Sequence, residues 1–270
     1  MLNILTLHWN YLDGLKRLYE SLLPALEGID WRYFVKDNGS TDGSVEFLQS
    51  IKSDNIIPYF TGHNRHNFAE GMNIIFAQAY PFPDDYILLL NNDLWIENPK
   101  SIKNMIKLME EDKDIGVVGA KILYPDKKTI THAGVIGSMR YNGLPFHYRR
   151  GEEVSKEDGF NREFQIVTGA AMLTKAKYFP MDETLSWAFD DCDLCLNVKY
   201  NHNKRIVYCG DTLFCHEESR SLKKNPVHKL MLQHNVSRFR EKWEKHFKMD
   251  LEQYENNPNY MKYGHFVKHG

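Results

Sequence analysis

From residue 4 to residue 90 the chain alternates short apolar runs with stretches of helical periodicity, and this alternation restricts the fold more than any other feature. Ile4-Leu5-Thr6-Leu7 reads as a strand, and Leu15, Leu18, Leu22 and Leu26 then recur at helical spacing. Tyr33-Phe34-Val35 reads as a second strand, followed by Val45, Leu48 and Ile51 at helical spacing. Residues 56–60 form a third apolar run, 68–79 a helix and 86–90 a fourth strand. Apolar residues three and four apart share one helix face, whereas a short continuous run suits a strand covered on both sides. Strand and helix in strict alternation predict an α/β fold with a largely parallel central sheet and helices on both faces.

Past residue 95 the pattern loosens. A helix at 101–111 precedes a strand at Gly116-Val117-Val118, and the polar, turn-rich stretch from 124 to 163 predicts loops or a hairpin. Gln165-Ile166-Val167 reads as a strand leading into Thr168-Gly169-Ala170-Ala171-Met172. A helix from about Asp190 and a strand at Arg205-Ile206-Val207-Tyr208 complete the domain. Residues 221–270 carry helical signals at Val236, Phe239 and Trp243.

At 270 residues, 42% hydrophobic and 26% charged, the chain can bury the core of one large domain and is not of the disordered class. A net charge of -2 gives no overall attraction to nucleic acid, and none is expected as a partner. The longest aliphatic run, Ile87-Leu88-Leu89-Leu90, falls far short of the ~20 residues of a membrane span. The start of the chain lacks the basic and apolar regions of a secretory signal, so a cytoplasmic location is expected. From Arg220 to Lys248 nine Lys or Arg face only Glu241 and Glu244. That excess suits either a solvated helix face or peripheral contact with an anionic membrane surface or lipid-linked acceptor. The four cysteines, 192, 195, 209 and 215, together with His216 admit a zinc reading. Cys192 and Cys195 nevertheless fall among Asp191 and Asp193 in a helical segment, and the second pair lacks tight spacing, so buried free thiols are the preferred reading.

Ligands of an open parallel sheet settle at the carboxyl ends of its strands. Three polar clusters fall there: His8-Trp9-Asn10, Asp37-Asn38-Gly39-Ser40 and Asn91-Asn92-Asp93. Asp-Asn-Gly-Ser is also good turn chemistry, but Asp37, if ionised, could accept hydrogen bonds from a base or ribose. Asp93, delivered at the tip of a buried strand, suits Mg2+ or Mn2+ held against a diphosphate; alone, it could equally cap a helix. Phe189-Asp190-Asp191-Cys192-Asp193-Leu194 packs three carboxylates into four positions. Their mutual repulsion needs compensation, which a helix N-terminus supplies in part, while one of them could serve as general base toward an alcohol. His216 follows the strand-like Thr212-Leu213-Phe214 and is either structural or a metal ligand.

These pieces resemble the family 2 glycosyltransferases of the GT-A fold, especially the rhamnosyltransferase-like branch. In order they are Thr6-Leu7-His8-Trp9-Asn10, Asp37 through Ser44, Phe68-Ala69-Glu70-Gly71-Met72-Asn73, Leu89 through Asp93, Gly119 through Asp126, His132-Ala133-Gly134, Thr168 through Met172, Asp190 through Leu196, and His216. Each motif is weak alone; their order across residues 3–220 is specific. The resemblance implies a nucleotide-sugar-binding half at 1–95, an acceptor-binding and catalytic half at 96–220, and a basic helical extension at 221–270. It implies nucleotide contacts from Thr6, His8, Asn10, Asp37, Asn38, Ser40, Asn73 and Asn92. Asp93, His216 and Asn91 would hold Mn2+ or Mg2+. Asp191 would be the catalytic base with Asp190 beside it, and His132, Thr168, Gly169, Ala170 and Trp187 would face the acceptor. Three positions depart from the family pattern: Asn91 stands for a first metal-binding Asp, Asn67 for a glycine and Asp190 for a Glu.

The expectation is an inverting transferase moving a sugar from a UDP- or dTDP-sugar to a saccharide or lipid-linked saccharide. A metal-dependent nucleotidyltransferase would want a glycine-rich basic loop after the first strand, where this chain has His8-Trp9-Asn10. A glycosidase also uses paired carboxylates but needs no nucleoside-gripping edge, and a non-catalytic nucleotide-sugar-binding protein is the remaining rival.

Overall fold

The structure is a computed structural model that describes residues 1–63, 67–185, 188–218, 228–257 and 259–262. The first half follows the predicted alternation: β1 (Leu2–His8), α1 (Leu12–Ala25), β2 (Trp31–Asp37), α2 (Ser44–Ser50), β3 (Ile56–Phe60), α3 (Phe68–Ala79), β4 (Tyr86–Leu90). The short β5 (Leu94–Ile96), then α4 (Ser101–Glu111), β6 (Ile115–Leu123), β7 (Ile130–His132), β8 (Val135–Ser138) and β9 (Leu144–His147) come next. They are followed by β10 (Arg162–Phe164), β11 (Ala171–Lys175), α5 (Asp190–Asn201), β12 (Arg205–His216), α6 (His228–Trp243) and α7 (Leu251–Asn256).

The main sheet runs β10-β12-β6-β11-β4-β1-β2-β3, with β5 on β12 and β7 on β6. Pairings within β3-β2-β1-β4 and between β6 and β12 are parallel; β11 is antiparallel to both β4 and β6. This is a mixed, mostly parallel α/β sheet of the GT-A type. The tips of β1, β2, β4, β6 and β12 therefore share one edge, and the chain enters β11 at that same edge.

Successive strand residues point to opposite faces, and the core divides accordingly. Ile4, Leu88 and Val118 pack with Leu15, Leu18 and Leu22 of α1 and with Met105 of α4. Leu5, Leu89 and Val117 pack with Met72 and Ile75 of α3, Leu196 of α5, and Phe239 and Trp243 of α6. Each fully buried leucine of α1 contributes about 1.5–3 kcal/mol. Asn67, the departure from the family pattern, starts α3 as a capping box: its side chain accepts from the Glu70 amide and Glu70 accepts from its own.

Three expectations need correction. The strand is not at 165–167, where Ile166 makes only an isolated bridge to Val135. Gln165 there spends its side chain on the Lys248 backbone and Asp250, so that segment serves the C-terminal region rather than the sheet. The strand beside it, β11, went unrecognised because its short apolar run was absorbed into the preceding Thr168–Met172 motif. The 124–163 stretch holds the β8–β9 hairpin but also β7 and β10, and β12 extends through the separate segment read at 212–214. All four cysteines are free and buried. Among the described residues no helix is long and apolar enough to cross a membrane.

Candidate active site

At the β1, β2 and β4 end of the edge, polar strand tips are tied into one unit. Asn92 Nδ2 lies 3.0 Å from His8 Nδ1, and His8 Nε2 lies 2.8 Å from Ser44 Oγ, which is 2.6 Å from Asp42 Oδ1. An amide NH2 can only donate, so His8 accepts at Nδ1 and donates from Nε2. Burial holds the His8 imidazole down at about 4, against the pull of Asp37 and Asp42, so the ring is neutral. His8 is thus enclosed between two loops.

Asp37 stands beside His8 in register. Its Oδ1 accepts from the amides of Gly39 and Ser40 at 2.9 and 2.8 Å. Its Oδ2 is buried with no partner, and a buried acceptor without a donor is costly; a ligand N–H or O–H would relieve it. Gly39 is required here: φ is +82°, and a Cβ would lie 2.6 Å from the His63 backbone nitrogen. Asn10 accepts from the Thr41 amide at 2.7 Å and donates its own amide to Ser40 Oγ at 2.9 Å, pinning the first two loops together. Asn38 accepts from the buried Lys36 ammonium, which burial pushes down to about 8. Thr6 is buried inside β1 with its hydroxyl 3.2 Å from Tyr33 Oη. Asn73 spends its side chain on the Met181 backbone and Glu183.

Asp93 and His216, 123 residues apart in sequence, meet with Oδ1 and Nε2 2.7 Å apart. Pairing of β5 with β12 sets this distance, since Leu94 stands opposite His216. Among the described residues no group of three or more His, Cys, Asp or Glu is placed to hold a metal ion by itself. One carboxylate and one imidazole, with the half-buried Asn91 and Asn92 amides on the same β4 tip, form a donor set that fits a Mg2+ or Mn2+ whose other ligands are phosphate oxygens and water. The Asn91 backbone N–H is bound to the Ala170 carbonyl at 2.9 Å, which joins the β4 tip to the start of β11.

Beside the start of β11, the three acids of α5 have three different environments. Burial, reinforced by the neighbouring Asp191, raises the Asp190 carboxyl well above the usual carboxylate range, which favours its neutral form. Asp193 is buried against the Trp243 indole N–H at 2.7 Å and the Lys242 ammonium at 2.6 Å. Asp191 alone remains half-exposed, oriented by the Gly169 amide on Oδ2 and by the Cys192 amide on Oδ1, both at 2.8 Å. A Cβ at Gly169 would sit 3.0 Å from Asp191 Cβ, so a larger residue there would press on Asp191.

His132 is fully buried, its ring held neutral by burial and by His147. Its Nε2 accepts from the Thr168 amide at 3.3 Å and its Nδ1 lies 3.1 Å from His147 Nδ1. Burial also drives His147 to about 4; the charge of Asp191 opposes this, and Arg150 and His216 add to it. The 168–170 segment links Asp191 with the Asp93–His216 pair: its Gly169 amide holds Asp191 and its Ala170 carbonyl accepts from Asn91, two residues before Asp93. Sequence reasoning missed His147, because only the β8–β9 pairing of Val135 with His147 brings it beside the His132-Ala133-Gly134 motif. It also missed Glu217, bound by Tyr11 and Arg17, and Glu218, bound by Tyr124 and Arg150. Trp187 lies outside the described residues, as do 220–227 of the basic segment.

Residues 4–178 match the glycosyl transferase family 2 profile. The chain is 25% identical over 93% of its length to the uncharacterised protein y4gI of Sinorhizobium fredii. It is 25% identical over 80% of its length to the O-antigen biosynthesis protein RfbC of Myxococcus xanthus. It spans only 28% and 17% of those two relatives. Among solved structures it superposes on GalNAc-T7 bound to UDP, GalNAc and Mn2+ with a TM-score of 0.66 at 9% identity, covering 99% of this chain and 52% of the other. The mannosyltransferase PcManGT of Pyrobaculum calidifontis, bound to GDP-Man and Mn2+, gives 0.59 at 12% identity, covering 96% and 69%. At such identities these likenesses speak for the fold, and the profile match, over more than half the chain, for the lineage. The chain belongs to glycosyl transferase family 2.

Proposed function

We propose that the protein is an inverting, divalent-metal-dependent glycosyltransferase that moves a sugar from a nucleoside-diphosphate sugar to an acceptor hydroxyl. One observation carries the reading: the Asp93–His216 pair and the oriented Asp191 carboxylate meet at one sheet edge, where the segment that holds Asp191 through the Gly169 amide also accepts the Asn91 N–H at the Ala170 carbonyl. The family and its ordered motifs support a place near the rhamnosyltransferase-like branch, and with it a UDP- or dTDP-sugar donor. The O-antigen relative supports a saccharide or lipid-linked saccharide acceptor in polysaccharide synthesis. We further assign residues 1–95 to donor binding and 96–220 to the acceptor and chemistry, in a cytoplasmic protein whose basic 220–248 segment touches the inner membrane face.

Asp37 Oδ2 accepts a hydrogen bond from the base or ribose, while Asn10, Asn38 and Ser40 shape that loop. Asp93 and His216, aided by Asn91, would hold the cation. Bound Mg2+ or Mn2+ supplies neutralisation of the charge that grows on the departing diphosphate. Asp191 takes the acceptor hydroxyl proton as that oxygen bonds to the anomeric carbon and the bond to diphosphate breaks on the opposite face, inverting the centre. With the neutral form of Asp190 favoured by burial and Asp193 paired with Lys242, Asp191 is the acid of the three left to take a proton.

The test is a thermal-stabilisation screen of UDP-, dTDP- and GDP-sugars with and without Mn2+, followed by product analysis. One nucleotide class should raise Tm only with Mn2+, Asp93→Ala should abolish the rise, and transfer should release a nucleoside diphosphate. Release of pyrophosphate would make the protein a nucleotidyltransferase, and full activity in chelator would end the metal assignment.

A further inference from the structure

The third acid of the α5 cluster leads to the C-terminal helix. Lys242 Nζ lies 2.6 Å from Asp193 Oδ1 and 2.7 Å from Asp182 Oδ2, so one ammonium joins carboxylates on either side of Asp190 and Asp191. Burial would raise the Asp182 carboxyl, but hydrogen bonds from Lys242 and Thr184 hold it down at about 2. The neighbouring Trp243 donates its indole N–H to the same Asp193 oxygen at 2.7 Å. Further contacts from α6 fall between these anchors. Arg238 reaches Thr184 Oγ1 at 3.3 Å, Asn235 reaches the Ala188 carbonyl at 3.3 Å, and the Phe239 ring lies 5.1 Å from that of Phe189, the residue just before α5. Asn73 of α3 holds the near end of the same segment at Met181 and Glu183. No α6 contact of this kind reaches the donor-side loops at 8–10 or 37–44 among the described residues.

We propose that Lys242 and Trp243 are positioning residues. Through Asp193 and Asp182 they fix the first turn of α5, and with it the direction of the Asp191 carboxylate, so that α6 governs the acceptor side of the cleft and not the donor side. A buried carboxylate that loses its cation is strongly destabilised. Without Lys242 the first turn of α5 must shift to bring Asp193 toward water, and Asp191, two residues away, moves with it. Reaction geometry tolerates little of this: a misplacement of about 1 Å costs on the order of 100-fold in rate. The kinetic part rests on the transfer reaction proposed above; the structural part does not.

The full chain is compared with Lys242→Met, Lys242→Arg and Trp243→Phe, the last keeping an aromatic ring in the core while removing the N–H. Amide hydrogen exchange, which needs no reaction, should rise across 188–201 in Lys242→Met and Trp243→Phe and stay unchanged across 31–48. UDP and dTDP with Mn2+ should stabilise all variants as they do the parent. With the active donor from the screen, kcat should fall about 10- to 100-fold and acceptor KM should rise, while donor KM holds and Lys242→Arg recovers most of the loss. Unchanged exchange at 188–201, or donor KM rising in step with the loss of kcat, overturns the proposal. If the parent turns over no nucleotide sugar, the transfer reading fails, and the exchange data still decide whether α6 orders α5. If Lys242→Met does not fold, Trp243→Phe carries both comparisons.

Discussion

The proposed donor side of the site and the proposed acceptor side are built by different means. The donor side comes from three consecutive strand–helix units, and its polar residues sit at strand tips or in the turn just beyond. Asn10, Ser40 and Thr41 bond one another, Asp37 is wrapped by the next two amides of its own loop, and a neutral His8 joins the loops to Asn92. The acceptor side draws on an antiparallel strand, a hairpin, the start of α5 and the C-terminal helix, with partners such as Gln165 and Asp250 that lie 85 residues apart. A site made of local turns is fixed as soon as its strands pair. A site gathered from distant segments depends on every contact among them, so substitutions far from the acceptor can still alter it.

The largest effect should come from the acceptor side. Asp191→Asn, isosteric and still able to accept from Gly169, should fold as the parent and lose about 10²- to 10⁴-fold in transfer; near-parental turnover would remove the base from that half. Asp37→Ala tests the other half. Losing one charge-assisted hydrogen bond, about 1.5–3 kcal/mol, should raise donor KM or the Kd of the nucleotide roughly 10- to 100-fold while acceptor KM holds. A matching rise in acceptor KM would erase the distinction between the two sides.

Next comes pH. His8 in its folded site takes a proton only near 4, whereas an unfolded histidine does so near about 6.5. The unfolded chain therefore gains protons that the native fold refuses, so stability is full above about 6.5 and falls as the pH drops toward 4. From pH 7 to 5 His8 alone should cost about 2 kcal/mol. His147, held at about 4, shifts in the same sense. Denaturant melts at the two values check this, and His8→Gln should flatten part of the slope. The smallest effect is expected at Asp190: because burial favours its neutral carboxyl, Asp190→Asn should change turnover by only a few-fold, in clear contrast with Asp191→Asn.

How much of this could be read beforehand follows the same division. The boundaries of β3, α3, β4 and α4 coincide with the apolar periodicities, because strand and helix in a parallel unit each carry their own local pattern. Asp37, Asp93 and Asp191 were visible as acids at predicted strand tips or a helix start. β11 was not: a five-residue buried strand has no alternation, and nothing local says that it runs against its neighbours. His147 and Lys242 were invisible for a related reason, since each matters through a partner that only the tertiary fold supplies. The three acids of α5 could be flagged as a cluster needing compensation, but only burial and Trp243 tell which is neutral, which is paired and which is left for chemistry.

The reversed direction of β11 has a practical side. Because the chain runs into that strand from the cleft, the segment leaving it at 176–178 emerges at the opposite end of the sheet, next to 82–85, where Lys177 meets Asp84 and the Pro83 carbonyl. Five residues of strand put roughly 17 Å between that end and the cleft. With Tyr80 and Phe82 already open to solvent there, a fluorophore or affinity handle at 80–84 would report on the whole protein without shading its substrates.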